Sequence, residues 1–163
     1  MTGLNINRDQ RFVSFENDIF FYKRIKSKGN WATRLKIGLA TNNPTHFPPF
    51  PPFSIDNNQN IRGIGNLVLR GSGVWALNEE SRHTFIEKKW FVLRANSFWD
   101  LGSLRQSGDD LNILFKNKSE ETLAGISVKI IHKYIFRAII RIDYGFSFDN
   151  SPCGLVFGIG QYF

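Results

Sequence analysis

The chain has a single cysteine, Cys153, which excludes an internal disulfide framework and any cysteine-based zinc cluster. It reads as an inert loop thiol. Long apolar runs are also missing: Arg137 and Arg141 break even the most hydrophobic stretch, well short of the ~20 residues a membrane-spanning helix needs. Spanning β-strands escape that exclusion, because they are shorter and alternate. Residues 1–10 lack the apolar centre of a secretory signal peptide. If the protein works outside the cytoplasm, the chain is therefore expected to be a fragment or mature product of a longer one. Marks of catalysis are few. His46, His83 and His132 are scattered, no serine is framed as Gly-x-Ser-x-Gly, and the glycine-rich residues 62–73 lack the lysine and helix of a phosphate loop. No enzyme, cofactor or metal is expected.

What is present is aromatic and basic. The 163 residues suit one domain and include 16 Phe, too apolar a composition for disorder. Lysine and arginine exceed the acids by 21 to 14, a formal charge of +7, which permits an anionic partner such as nucleic acid, phospholipid or lipopolysaccharide.

Alternation with a period of two dominates. Val13, Phe15, Ile19 and Phe21 share one parity and Ser14, Glu16 and Asp18 the other, the pattern of a strand with an apolar and a polar face. The same holds for Trp31 to Leu39 against Ala32, Arg34 and Lys36, and for Trp75 and Leu77 against Asn78, Glu80 and Arg82. It recurs in residues 91–100, 124–130, 136–145 and 154–163. About seven strands and no helix are expected. Connections alternate in length: residues 23–30, 86–88 and 133–134 are short turns, whereas 42–73 and 102–121 are long and loop-like. The four tryptophans fall at strand ends: Trp31 and Trp90 by the short turns, Trp75 and Trp99 by the long loops. Tight turns at one end, larger loops at the other and aromatics at both rims are what an outer-membrane barrel shows. The polar face mixes small residues with Arg94, Lys129, Arg137, Arg141, Glu80 and Asp143, which suits a hydrated lumen. This pattern favours a membrane barrel over a soluble β-sandwich.

The connection at residues 42–73 is anomalous, since it carries Phe47, Phe50, Phe53, Ile55, Leu67 and Leu69 among its prolines and so needs a surface to dock on. Its run Phe53-Ser54-Ile55-Asp56-Asn57-Asn58-Gln59-Asn60-Ile61-Arg62-Gly63 is followed by Leu77-Asn78-Glu79-Glu80-Ser81-Arg82 and Phe98-Trp99-Asp100-Leu101-Gly102. Gly158-Ile159-Gly160-Gln161-Tyr162-Phe163 comes last. Together, in this order, these segments resemble the C-terminal barrel portion of the bacterial surface antigen superfamily, the BamA/TamA-like outer-membrane assembly factors and their two-partner secretion relatives. The resemblance implies an antiparallel up-and-down transmembrane β-barrel of about sixteen strands, of which residues 1–163 supply about seven. It implies that residues 42–73 fold back into the lumen, with Ile61, Arg62 and Gly63 as the loop motif and Glu80 and Asp100 as acidic partners of Arg62. It further implies that Phe157, Gly158, Gly160, Tyr162 and Phe163 form a C-terminal assembly signal. Asp56-Asn57 stand where the family has Gly-Gly, Ile64 where an aromatic is common and Gln161 where an apolar residue is usual.

The implied function is non-enzymatic: insertion or translocation of proteins at the bacterial outer membrane. Its partners would be membrane lipid and lipopolysaccharide, the remaining barrel strands or a self-associated copy, and client outer-membrane proteins, with no nucleic acid. Two other readings compete, a soluble basic β-domain that binds nucleic acid or another polyanion, and a passive porin-like channel. Taken alone, Arg62 is a solvated loop arginine, Glu80 and Asp100 are strand-end acids that pair with Arg82 and Arg94, and Phe163 is a core aromatic.

Overall fold

The computed structural model describes residues 13–41, 51–56, 61–62, 68–116, 120–135, 138–147 and 154–160. In chain order the strands are β1 (Ser14–Ile25), β2 (Gly29–Ala40), β3 (Phe53–Ile55), β4 (Leu69–Gly71), β5 (Gly73–Glu87), β6 (Phe91–Arg105), β7 (Glu120–His132), β8 (Ile139–Ser147) and β9 (Gly154–Ile159). Seven of them form one antiparallel sheet in the order β1-β2-β5-β6-β7-β8-β9, while β3 and β4 pair separately within the long connection. Every neighbour in the sheet is also the next long strand along the chain, an up-and-down meander. Among the described residues the sheet is open: β1 pairs only with β2, and β9 only with β8.

The side chains divide as the alternation requires. Cross-strand partners share a face, so the register Ala32↔Glu80, Glu80↔Phe98 and Phe98↔Gly125 carries one face continuously across four strands. That face holds Arg34, Lys36, Asn78, Glu80, Arg82, Asn96, Asp100, Ser127, Lys129, Arg141 and Asp143, all of them buried. The opposite face carries Phe15, Ile19, Phe21, Ile126, Ile140, Leu155, Phe157 and Ile159, all of them exposed. Asp143 has no exposed surface, whereas Ile126 is 61% and Ile159 89% exposed. This reverses the usual arrangement of a water-soluble domain. Glu79, paired with Thr33 and Trp99 in register, interrupts the apolar face at mid-strand.

A small apolar cluster lies on the charged face. Phe53, Ile55, Ile61, Val74 and Leu123 pack together with Ala40, Leu69 and Leu104 at its edge. The arm of the long connection is therefore folded onto the sheet. Two glycines make room for it: a Cβ at Gly38 would come within 2.5 Å of the Phe53 ring, and one at Gly102 within 2.7 Å of Ile61.

Two boundary differences matter most; elsewhere, β1 runs to Ile25 and β2 starts at Gly29, leaving a turn of 26–28 in place of the expected 23–30. β6 continues through Gly102 to Arg105, because Ser103, Leu104 and Arg105 find backbone partners in Trp75, Val74 and Gly73. Of the expected 102–121 loop, the described residues 106–116 lie outside any strand. Within it, Leu111–Phe115 forms a 3₁₀ turn where no helix was expected, capped by Asp110, whose side chain accepts from the Leu111 amide at 2.7 Å. Leu114 is buried and its carbonyl accepts from the Trp75 indole, which seats the turn on the apolar face. The second difference is a register shift between Thr84 and Ile86. That irregularity lengthens β5 by a residue and moves the turn from 86–88 to 88–90.

Candidate functional site

The site is built on diagonal positions of two adjacent strands. Glu80 on β5 lies opposite Phe98 on β6, and Asp100 lies opposite Asn78. All four share the charged face, which places the two acids about 7–8 Å apart across the diagonal. A guanidinium inserted between them can bond on both sides.

Arg62 does this. Its Nη1 donates to Glu80 Oε2 at 2.7 Å, its Nε to Asp100 Oδ2 at 2.8 Å and its Nη2 to Asp100 Oδ1 at 2.9 Å. The Arg62 backbone amide adds a bond of 3.0 Å to Asp100 Oδ2. Asp100 is thus held bidentately, the geometry that best suits the planar fork of an arginine. The guanidinium carbon lies 3.9 Å from the centroid of the Phe98 ring, a cation–π contact in a site where Arg62, Glu80 and Asp100 have no exposed surface. Backbone geometry prepares the approach: the Ile61 amide donates to the Asp56 carbonyl at 3.1 Å, and Ile61 itself is buried.

Glu80 is shared. Its Oε1 accepts from Arg82 Nε at 2.9 Å and from Lys129 Nζ at 2.6 Å. Three cations therefore converge on one carboxylate, and Asp100 supplies the second. Lys129 and Arg82 join the site although the motif did not name them. Their signal in the sequence is parity, because both lie on the charged faces of their strands. Phe98 and Gly38 were legible in the same way, as an aromatic and a gap among otherwise polar positions, whereas Gly102 was assigned to the loop.

The remaining expected site residues are dispersed. Phe157 is 70% exposed on the apolar face. Gly158 lies directly against Arg141, so that a side chain there would collide with the guanidinium. Gly160 adopts a φ of +109°, which glycine tolerates, and its amide donates to the Ile139 carbonyl at 2.8 Å. These three do not contact the Arg62 site. Gly63, Tyr162 and Phe163 lie outside the described residues. Among the described residues, no group of three or more His, Cys, Asp or Glu side chains could hold a metal ion, and no helix is long and apolar enough to cross a membrane.

The arrangement defines an all-β protein whose open antiparallel sheet buries a charged face beneath an arginine-tethered arm. Comparison with family models, with curated proteins and with solved structures gives no match.

Proposed function

We propose that the chain is part of an outer-membrane β-barrel of the assembly or translocation type, acting on other chains without catalysing a covalent reaction. The observation that carries this reading is the inverted partition of side chains: charges with no exposed surface on one face, and isoleucine and phenylalanine from 40% to 89% exposed on the other. Hydrocarbon is the environment in which such an apolar face costs nothing, and a polar lumen suits the charged one. The Arg62 tether supports the assembly class in particular, because it matches the loop motif that the resemblance assigns to that family.

Open edges support the same reading. Unpaired backbone groups are not tolerated in lipid, so β1 and β9 must pair with further strands, with a second copy or with a client strand. Clients would add along such an edge by backbone hydrogen bonding.

Reconstitution into vesicles of bacterial outer-membrane lipid tests this. The chain is expected to stay with the vesicles through a urea wash and to accelerate folding of an added client barrel. A monomer fully soluble without detergent would falsify the membrane reading. A vesicle-bound chain that leaves client folding unchanged would sink the assembly role and favour the passive channel, which conductance then reports.

One feature favours the polyanion-binding reading locally. Phe20 and Tyr22 stack on the charged side of β1 with ring centroids 6.4 Å apart, beside Arg34 and Arg82. Aromatics interleaved with arginine can hold single-stranded nucleic acid. A salt-dependent affinity for oligonucleotides, lost in Phe20→Ala, would establish it.

A further inference from the structure

Arg24, Lys28 and Arg94 are cations that the Arg62 site does not use, and they gather with Arg82 beside the β1–β2 turn. There a hollow of about 390 Å³ is lined by Arg24, Lys28, Arg82 and Arg94, with Tyr22 and Thr84 among the polar groups between them. No carboxylate lines it. We propose that this hollow is a binding site for a phosphate-type oxyanion.

Four observations lead there. First, the turn and Arg24 are held in place. The Thr84 amide donates to the Lys28 carbonyl at 2.9 Å, which fastens the turn to β5, and Arg24 Nη2 donates to the Ser27 carbonyl at 3.4 Å. Second, Arg94 Nε is buried without a hydrogen-bond partner. A guanidinium N–H shielded from water and left without an acceptor is costly, and an oxyanion in the hollow would supply one. Third, the neighbouring acid is already engaged: Glu87 lies within electrostatic reach of Arg94 and Lys28 but is bonded to Lys133 at 2.8 Å. Arg82 is bonded to Glu80 through Nε, so it enters the hollow as a partly neutralised group. Fourth, three of the cations are arginines, whose forked donors match the oxygens of a tetrahedral anion. The volume leaves room for a phosphate with ordered water, at roughly 30 Å³ per water molecule.

The site stands on the geometry of the turn and the strand ends beside it, and holds whether or not the sheet spans a bilayer. Its ligand could be the headgroup phosphate of a lipid or a soluble phosphate, and the test separates them. ³¹P NMR of the full chain, folded in detergent, is recorded with inorganic phosphate and, separately, with phosphatidylglycerol micelles against phosphatidylcholine. At least one phosphorus resonance is expected to broaden, inorganic phosphate indicating a soluble ligand and phosphatidylglycerol alone a headgroup. Arg94→Gln should weaken the apparent affinity about tenfold, the loss of one charge-assisted bond. The double variant Arg24→Gln/Lys28→Gln, at the exposed end of β1 and in the turn that follows it, should do at least as much. Lys89→Gln, outside the hollow, should leave the affinity unchanged. Absence of broadening with both probes, or an equal loss in Lys89→Gln, overturns the site.

Discussion

At the scale of single residues, the arginine site is decided by how its charges are shared. Removing a partner from a buried ion network leaves an uncompensated charge, typically at a cost of about 3–5 kcal/mol, whereas the net worth of the intact pair against apolar residues is small. Among the described residues, Asp100 serves Arg62 alone, through three bonds. Glu80 serves Arg62, Arg82 and Lys129. Glu80→Gln takes a charge partner from three cations and Asp100→Asn from one, so the first is expected to destabilise more, by about 1–2 kcal/mol beyond the second. Denaturant unfolding in detergent measures the difference; equal losses would mean that Glu80 is screened by water. The Arg34–Asp18 pair, at 2.9 Å with Asp18 30% exposed, provides the contrast, since Asp18→Asn should cost less than about 1 kcal/mol. Parity alone was enough to show that Glu80, Asp100, Arg82 and Lys129 share a face. It could not show that Arg62 reaches two of them, because Arg62 lies outside every strand and no period governs where its side chain points. That contact was legible only through the resemblance.

At the scale of elements, the long connection is held by shape as much as by charge. Phe53 fits over Gly38 and Ile61 over Gly102, and both glycines stand on the charged face of the sheet. Strands with interior glycine are weakened, so these positions are better explained by what lies over them. Gly38→Ala is expected to force the Phe53 ring away at a cost of about 1–3 kcal/mol and to expose the arm. Limited proteolysis within residues 42–73 would report this, and Phe53→Leu in the same chain should restore part of the protection. Unchanged cleavage in Gly38→Ala would mean that the arm is held by Arg62 alone. The seven long strands were visible in the sequence because a period of two survives any local irregularity. Their ends were not: the extension of β6 to Arg105 depends on pairing with Gly73 and Val74, residues some thirty positions away. The 3₁₀ turn depends on a tertiary bond from Trp75. Both are settled by contacts remote in sequence, which propensity does not contain.

At the scale of the whole molecule, the question is what the apolar face meets, and substitution there reverses sign with the answer. Ile126 lies at the middle of β7 and is 61% exposed. On a water-facing sheet, Ile126→Arg would be nearly neutral, as surface changes away from special features are. In a bilayer the same change at mid-strand should cost about 2–4 kcal/mol, falling toward 0–1 kcal/mol near the interface. Ile130, two positions from the end of β7 and 42% exposed, supplies the depth control, and Ile130→Arg should cost the smaller amount. Glu79 gives the converse. It is a carboxylate at mid-strand on the apolar face, in register with Thr33 and Trp99, so Glu79→Leu should stabilise a lipid-facing sheet and reduce the solubility of a water-facing one. Unfolding of the three variants from phospholipid vesicles, compared with the parent chain, reads all the signs together. A gradient that is steep at Ile126, shallow at Ile130 and inverted at Glu79 is what hydrocarbon on that face produces. Three values within about 0.5 kcal/mol of the parent would place water there instead, and the buried charges opposite would then be the interior of a soluble sheet.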